Sequence, residues 1–188
     1  MKNLQITQYT RLFIRQQVKP GDLCMDATMG NGNDTALLSL LAGEKGHVVA
    51  FDIQPQALEN TRKQMEQRGC PGNWELVQRS HEYMEEYGAP GSISCITFNL
   101  GYLPGGDHAI ATRADSSIRA IESGIRLLKK GGLMTICIYS GGDTGFEERD
   151  RVLGFLENID PHECLVICSE YANRPNNPPI PVLVIKLK

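Results

Sequence analysis

Short apolar runs rich in β-branched residues alternate with amphipathic segments of helical length, and this alternation constrains the fold more than any other feature. Such a rhythm is typical of an α/β protein whose parallel strands are joined by crossover helices on both faces of the sheet. The predicted strands are residues 22–28, 47–53, 74–78, 94–100, 133–140, 163–171 and 181–187. The predicted helices are residues 5–18, 34–43, 54–69, 81–88, 116–131 and 147–159, and several of them end at a glycine.

The last two predicted strands break this alternation. The stretch between them, "NRPNNPPIP" at residues 173–181, contains too much proline for a crossover helix. These two strands are therefore expected to pair as an antiparallel hairpin. A seven-stranded, mostly parallel sheet that ends in such a hairpin resembles the order of elements in class I methyltransferases, which use S-adenosylmethionine (SAM) and have a Rossmann-like fold.

Length and composition limit the remaining possibilities. The 188 residues, 41% of them hydrophobic, predict one domain over residues 1–188, with a helical segment at 1–20 packed on it. The six cysteines form no CxxC pair and no apolar run reaches about 20 residues, so we expect a cytoplasmic protein with reduced thiols. A net charge of −3 means that any contact with nucleic acid must be local. The four histidines lack ligand spacing, so no metal site is expected.

A glycine-containing loop follows the first strand. The strand runs into "MGNGND", residues 29–34, and then directly into a helix. Open parallel sheets bind ligands beyond the carboxyl ends of their strands, and Gly30 and Gly32 would let a ligand approach the backbone. The alternative is a simple tight turn. Asp52 ends the next strand, where a carboxylate can accept hydrogen bonds from both ribose hydroxyls of a nucleoside; the alternative there is a helix cap.

The same loop distinguishes between two cofactors. A dinucleotide fingerprint requires a third glycine where this sequence has Thr35. Asp26, four residues before the loop's first glycine, instead resembles the acidic residue of the D-x-G-x-G-x-G motif in SAM-dependent methyltransferases, with Thr28 in place of the first glycine. The resemblance implies that Asp26 lies near the methionine end of SAM. Thr28, Asn31 and Asn33 are then candidates to hold the amino-acid part of the cofactor.

Ser80 and His81 follow the third predicted strand, at a position that usually meets the adenine ring in this fold. The alternatives are that Ser80 caps the next helix and that His81 is a surface residue of that helix.

The fourth predicted strand ends in "NLGY", residues 99–102. This stretch resembles the N-P-P-Y motif of enzymes that methylate nitrogen on nucleobases, with Leu100 and Gly101 in place of the prolines. The resemblance implies that Asn99 accepts a hydrogen bond from a substrate amine and directs its lone pair at the methyl group, while Tyr102 stacks on a base. The alternative is a strand that ends in a glycine turn, with Tyr102 in the core.

Four blocks extend the resemblance over nearly the whole chain: "DATMGNGNDT", "FDIQPQAL", "FNLGYLPGGDH" and "NNPPIPVLVIKL". Together they resemble the bacterial family labelled rRNA methylases, which includes the YtqB-like proteins. Some members methylate 5-aminomethyl-2-thiouridine at the tRNA wobble position. The resemblance therefore implies SAM as cofactor and tRNA, bound at its anticodon region, as substrate. It also implies a set of cofactor contacts: Asn31, Asn33, Asp52, Gln54, Ser80 and His81.

Such an amine must lose a proton. With a pKa near that of lysine, about 10.4, deprotonation at pH 7 costs roughly 4–5 kcal/mol. Asp107 and His108 follow a glycine pair close to the predicted transfer site, so Asp107 is the candidate partner of the amine and His108 a candidate helper.

Local contacts with RNA are predicted around the same cleft. Arg113, Arg119 and Arg174, the last in the "NRPNNPP" loop, are candidates for phosphate contacts, and Tyr139 is a candidate for stacking. The alternative for the arginines is a solvated helix face. A homodimer would widen so small an RNA-binding surface.

Other functions remain as alternatives to the tRNA methyltransferase. An rRNA base-amine methyltransferase would use the same chemistry. An NAD-dependent oxidoreductase is disfavoured by the missing third glycine, and a non-catalytic RNA-binding module by the cofactor crevice, which looks intact.

Overall fold

A seven-stranded sheet forms the centre of the computed structural model, which describes residues 5–103, 112–140 and 145–188. The strands are β1 (Leu23–Asp26), β2 (His47–Asp52), β3 (Trp74–Gln78), β4 (Ile93–Leu100), β5 (Leu128–Ile138), β6 (Cys164–Cys168) and β7 (Ile180–Lys186). Their order in the sheet is β3-β2-β1-β4-β5-β7-β6. The first five strands pair in parallel, and β7 runs antiparallel to both β5 and β6. The predicted sheet with its C-terminal antiparallel hairpin is confirmed.

Helices cover both faces of this sheet. They are α1 (Ile6–Gln17), α2 (Asn33–Ala42), α3 (Pro55–Gln67), α4 (Ala114–Leu127) and α5 (Gly145–Glu157), together with a 3-10 helix at His81–Tyr87. Because side chains alternate across a strand, Cys24 joins the cluster that holds Ile14 of α1 and Leu38 of α2, whereas Met25 joins the cluster that holds Ile121 of α4. Complete burial of a side chain as large as Met25, Leu38 or Ile121 stabilises the folded state by roughly 1.5–3 kcal/mol.

The middle of α4 shows how closely a helix approaches the sheet. A Cβ atom added at Gly124 would lie 2.5 Å from Met134 Cε and 3.3 Å from Ile96 Cδ1. Glycine within a helix costs about 0.5–1 kcal/mol relative to alanine, and here it allows α4 to pack directly on β4 and β5.

The main differences from the sequence prediction lie at the junction of α4 with β5 and in residues 81–88. The helix predicted at 116–131 ends at Leu127 because Leu128 already pairs with Ile93 in the sheet and Lys129 Nζ bonds Asp22 Oδ1 at 2.7 Å. The segment predicted as a helix at 81–88 is a 3-10 helix. Within the described ranges, no helix is both long enough and apolar enough to cross a bilayer.

Candidate active site

A crevice of about 980 Å³ lies beyond the carboxyl ends of β1, β2 and β4. Since β1 has β2 on one side and β4 on the other, the strand order reverses here, which is where open α/β sheets bind ligands. The structure brings most of the predicted site residues together along the wall: Asp26, Thr28, Gly30, Asn31, Asn33, Asp52, Gln54, Ser80, His81, Asn99, Tyr102, Arg113, Arg119 and Tyr139. Gly32 and Arg174 do not line the crevice. Asp107 and His108 lie outside the described residues.

Hydrogen bonds to Asp52 connect the glycine-containing loop to the end of β2. Its Oδ2 accepts a hydrogen bond from the Gly30 backbone at 3.2 Å, and its Oδ1 accepts one from the Gln54 backbone at 3.0 Å. Burial raises the pKa of this carboxyl above its ordinary value. A carboxylate offers about four acceptor positions, so Asp52 retains the capacity to accept hydrogen bonds from a ligand's hydroxyls.

Gly32 is required by packing. Its φ is +74°, and an added Cβ atom would lie 2.8 Å from the Thr61 Cα of α3. The loop and α3 are further joined by the Thr61 hydroxyl, which donates to the Gly30 carbonyl at 3.1 Å. The second glycine of the motif thus lets α3 approach and gives the loop its shape.

Asp26 is completely buried at the end of β1. Its carboxyl accepts hydrogen bonds from the Thr35 hydroxyl at 2.6 Å and from the Thr28 backbone at 3.2 Å. Burial, and then the nearby Asp34 carboxylate, raise the pKa of Asp26 to about 7. Asp26 lines the crevice and its ionised form would favour a cationic ligand, whereas the charge of Asp34 is balanced by Arg11 Nε at 2.7 Å.

The polar side chains of the loop are bonded within the protein. The Asn31 Oδ1 accepts a hydrogen bond from Asn60 at 2.8 Å, and the exposed Asn33 accepts one from Arg68 at 3.3 Å. Both side chains also line the crevice. Because each is already hydrogen-bonded within the protein, a ligand would meet them in these positions.

Ser80 and His81 lie at the end of β3. The Ser80 hydroxyl accepts a hydrogen bond from the Glu82 backbone at 3.4 Å, so it caps the 3-10 helix and also lines the crevice. His81 is buried, which rules out the surface alternative. Its Nδ1 lies 3.1 Å from the Ala27 carbonyl, so Nδ1 carries the proton; burial lowers the pKa of the ring and keeps it neutral. Its Nε2 is buried and has no hydrogen-bond partner in the described part of the chain.

Asn99, at the end of β4, is held by two hydrogen bonds, and its partner Asp34 is held by a third. Its backbone donates to the Thr28 hydroxyl at 2.7 Å, and its Nδ2 donates to Asp34 Oδ2 at 2.9 Å. The other oxygen of Asp34 accepts from Arg11 Nε at 2.7 Å. The Asn99 Oδ1 is buried without a partner among residues 5–103, 112–140 and 145–188. Asn99 thus lines the crevice and keeps a buried acceptor that has no partner in the described part of the chain.

Aromatic and basic residues border the crevice near Asn99. Tyr102 is 42% exposed, so the core alternative for this residue is wrong. Tyr139 is half-buried, and burial raises the pKa of its hydroxyl. Arg113 is exposed at the start of α4, whereas the exposed Arg119 lies 3.3 Å from the Glu82 carboxylate.

Sequence reasoning missed several residues of this wall. Among them are Thr7 and Arg11 from α1 and Asp34 from α2. From the proline-rich loop, the crevice is lined by Asn176, Asn177 and Pro179 instead of Arg174. One signal for Asp34 was present, because an acidic residue in the first turn after a ligand-binding loop lies close to that loop's ligand.

The fold and the crevice define a class I SAM-dependent methyltransferase, and solved structures agree. The chain resembles a protein from Clostridium thermocellum described as a "putative rRNA-methylase", with a TM-score of 0.95, 41% identity and complete coverage of both chains. It also resembles a protein from Streptococcus mutans described as "a putative methyltransferase", in complex with SAH, with a TM-score of 0.88 and 34% identity over 98% of this chain and 99% of that one.

The family follows from sequence. Residues 48–185 match the family model described as "Putative rRNA methylase", and the chain belongs to that family. A relative from Arabidopsis thaliana, a chloroplastic tRNA (mnm(5)s(2)U34)-methyltransferase, is 35% identical over 97% of this chain and 69% of its own length. The UbiE C-methyltransferase of Klebsiella pneumoniae is 31% identical, over 65% of this chain and 45% of its own length. The predicted family and the predicted class of SAM-dependent methyltransferase are confirmed.

Proposed function

We propose that this protein transfers the methyl group of SAM to the aminomethyl nitrogen of 5-aminomethyl-2-thiouridine at the tRNA wobble position. The observation that carries the proposal is the Asn99 side chain, whose unpaired Oδ1 at the end of β4 suits a substrate N–H donor. The activity named for the Arabidopsis relative supports a wobble uridine as the substrate.

The residues at the ends of β1 and β2 fit the cofactor. Asp52 would accept hydrogen bonds from the ribose hydroxyls, with Gln54 beside it, and the Gly30 backbone would allow close approach. The buried carboxyl of Asp26 would favour the positive charges of the methionine part. The neutral His81, with its unpaired Nε2 acceptor, suits the amino group of an adenine. When bound, SAM supplies a methyl group on a positively charged sulfur, which an amine can attack.

On the substrate side, the amine would donate a hydrogen bond to Asn99 Oδ1, which leaves its lone pair free to point at the methyl group. The new bond joins this nitrogen to the methyl carbon as the carbon–sulfur bond breaks, and the amine must lose a proton. We keep Asp107 as the proposed proton acceptor and His108 as its helper. An Asp107→Asn variant with normal turnover would overturn that assignment.

Aromatic and basic residues on and near the crevice would contact RNA around the anticodon. Tyr102 and Tyr139 would stack on bases, and Arg113, Arg119 and Arg174 would contact phosphates. A crevice of about 980 Å³ is at the upper end of the roughly 300–1,000 Å³ typical of ligand sites, which suits a cofactor together with one nucleoside.

An rRNA base amine is the second candidate substrate, and the description of the family favours it. The two are separated by incubating the protein with labelled SAM and bulk tRNA, or in parallel rRNA, from a strain that lacks the gene. We expect 5-aminomethyl-2-thiouridine to disappear from digested tRNA as its methylated form appears. Label that enters only rRNA would overturn the tRNA assignment.

We also propose that the protein is a cytoplasmic homodimer. All six cysteines lie in the described ranges and are free, which is usual for a reducing compartment. Light scattering at several protein concentrations tests the dimer, and a monomer at all of them would overturn it.

A further inference from the structure

We propose that Asp34, supported by Arg11, is a positioning residue that fixes the Asn99 amide with its oxygen toward the methyl acceptor. The group of these three residues is named the Asn99 clamp. The use of the Asn99 oxygen by an amine rests on the proposed function, whereas the geometry of the clamp does not.

The orientation of the amide follows from its partner. Asp34 Oδ2 lies 2.9 Å from Asn99 Nδ2, and a carboxylate accepts hydrogen bonds but donates none. The amide nitrogen must therefore face Asp34. Oδ1 then faces away from Asp34, and Asn99 lies on the wall of the crevice.

Arg11 fixes the carboxylate in turn. Its Nε lies 2.7 Å from Asp34 Oδ1, so the two oxygens of Asp34 have different partners. Asp34 is 7% exposed, and charge-assisted hydrogen bonds of this kind are stronger than neutral ones. The clamp thus links α1, the start of α2 and the end of β4 across 23 and 65 positions of the chain.

The orientation matters for chemistry at nitrogen. An amide oxygen accepts an amine N–H and leaves the nitrogen lone pair free. A flipped amide would present its NH₂ group, which would donate a hydrogen bond to that same lone pair and oppose the attack. A carboxamide in place of the Asp34 carboxylate would remove the constraint, because it can satisfy either orientation of Asn99.

The first test needs neither cofactor nor RNA. In protein labelled with ¹⁵N-asparagine, the Asn99 side-chain NH₂ signal is assigned by its loss in Asn99→Ala. We expect one of its protons to exchange slowly with solvent, and Asp34→Asn to move this signal and speed the exchange. The buried Asn73, whose Nδ2 donates to the Gly43 and Ser39 carbonyls, is the internal control and should not change. An Asn99 signal that is unaffected by Asp34→Asn would overturn the clamp.

The second test is a double-mutant cycle on methyl transfer. We expect Asp34→Asn to lower kcat by about 10–100-fold and to leave the Kd for SAM within about threefold. The double variant Asp34→Asn/Asn99→Ala should be no slower than Asn99→Ala alone, because the two residues act as a unit. Arg11→Lys, which keeps the charge, should lose less activity than Arg11→Ala.

Asp22→Asn is the matched control, since Asp22 also pairs with a cation at 2.7 Å but does not line the crevice. It should leave kcat unchanged. An Asp34→Asn variant with unchanged kcat, or one whose main defect is weaker SAM binding, would contradict the positioning role. A wild-type protein that does not methylate tRNA would overturn the proposed substrate, while the NMR result would still decide whether the clamp exists.

Discussion

The ends of β1 and β2 differ from the end of β4 in how fully the polar side chains there are hydrogen-bonded. At the ends of β1 and β2, Asp52 holds the Gly30 backbone and Asp26 holds Thr35, so these carboxylates are fixed before a ligand arrives. At the end of β4, Asn99 keeps a buried oxygen without a partner among the residues described. On the proposed assignment, the first half, at the ends of β1 and β2, binds the cofactor with carboxylates that are already fixed, and Asn99 in the second half, at the end of β4, offers its oxygen to the substrate. Variants of the first half should change cofactor binding, and variants of the second half should change turnover or RNA binding.

The largest effect is expected for Asp52→Ala on the cofactor half. Two hydrogen bonds to a charged acceptor contribute roughly 1.5–3 kcal/mol each, so we expect the Kd for SAM to rise by about 10²–10⁴-fold in calorimetry. Glu59→Ala is the control, because Glu59 is an exposed residue of the neighbouring α3 and pairs only locally with Lys63. An Asp52→Ala protein that binds SAM normally would show that this carboxylate is not a ribose ligand.

Gly32→Ala should unfold more easily, because it places a Cβ atom 2.8 Å from the Thr61 backbone at a φ of +74°. We expect a loss of about 2–4 kcal/mol, seen as a Tm lower by roughly 5–15 °C in a thermal melt. Gly69→Ala is the matched control, since its φ is +60° but nothing lies within 4 Å of the added atom. Equal losses of stability in Gly32→Ala and Gly69→Ala would show that the contact with Thr61 is not the reason for the glycine at position 32.

Tyr102→Ala tests the substrate half. Stacking of one base on an aromatic ring is worth about 1–3 kcal/mol, so the KM for tRNA should rise by roughly 5–150-fold with the Kd for SAM unchanged. Tyr83→Ala is the control, because Tyr83 is similarly exposed at 44% but does not line the crevice. The same KM in both variants would exclude stacking at position 102.

The smallest effect is a pH dependence of SAM binding. The pKa of Asp26 is raised to about 7, so much of this group is protonated in the free protein below that pH. A cationic ligand favours the ionised form, so binding should release a proton, and affinity should increase by up to about tenfold per unit as pH rises toward 7 and then level off. His81 does not mask this change, because its lowered pKa keeps it neutral. Calorimetry in buffers of different ionisation enthalpy measures the released proton. A flat profile, or one that Asp26→Asn leaves unaltered, would contradict the assignment.

The sequence predicted the sheet better than the ends of its helices. Strands buried on both faces appear as short apolar runs, and the prolines at 173–181 identified the hairpin. The end of α4 was misjudged because "KKGG" resembles a helix terminus. The segment that contains "KKGG" is instead part of β5, where Lys129 contacts Asp22, 107 residues away in the chain.

In the site, too, local sequence patterns identified some residues, whereas residues placed by long-range packing were missed. Motifs identified Asp52 and Asn99, because each ends a strand at the ligand-binding edge of the sheet. Arg11 was missed because its role depends on how α1 packs against the sheet, and no local pattern encodes that contact. The proposed proton acceptor Asp107 stays a prediction.

The central claim is that Asn99 serves methyl transfer to an aminomethyl group. Its most direct test is a single-turnover assay with two anticodon stem-loops, one carrying 5-aminomethyl-2-thiouridine and the other 2-thiouridine at the wobble position. We predict that the wild-type protein methylates only the first stem-loop, and that Asn99→Ala slows this reaction by about 100-fold or more while binding SAM normally. Methylation of both stem-loops, or an undiminished rate in Asn99→Ala, would contradict the account.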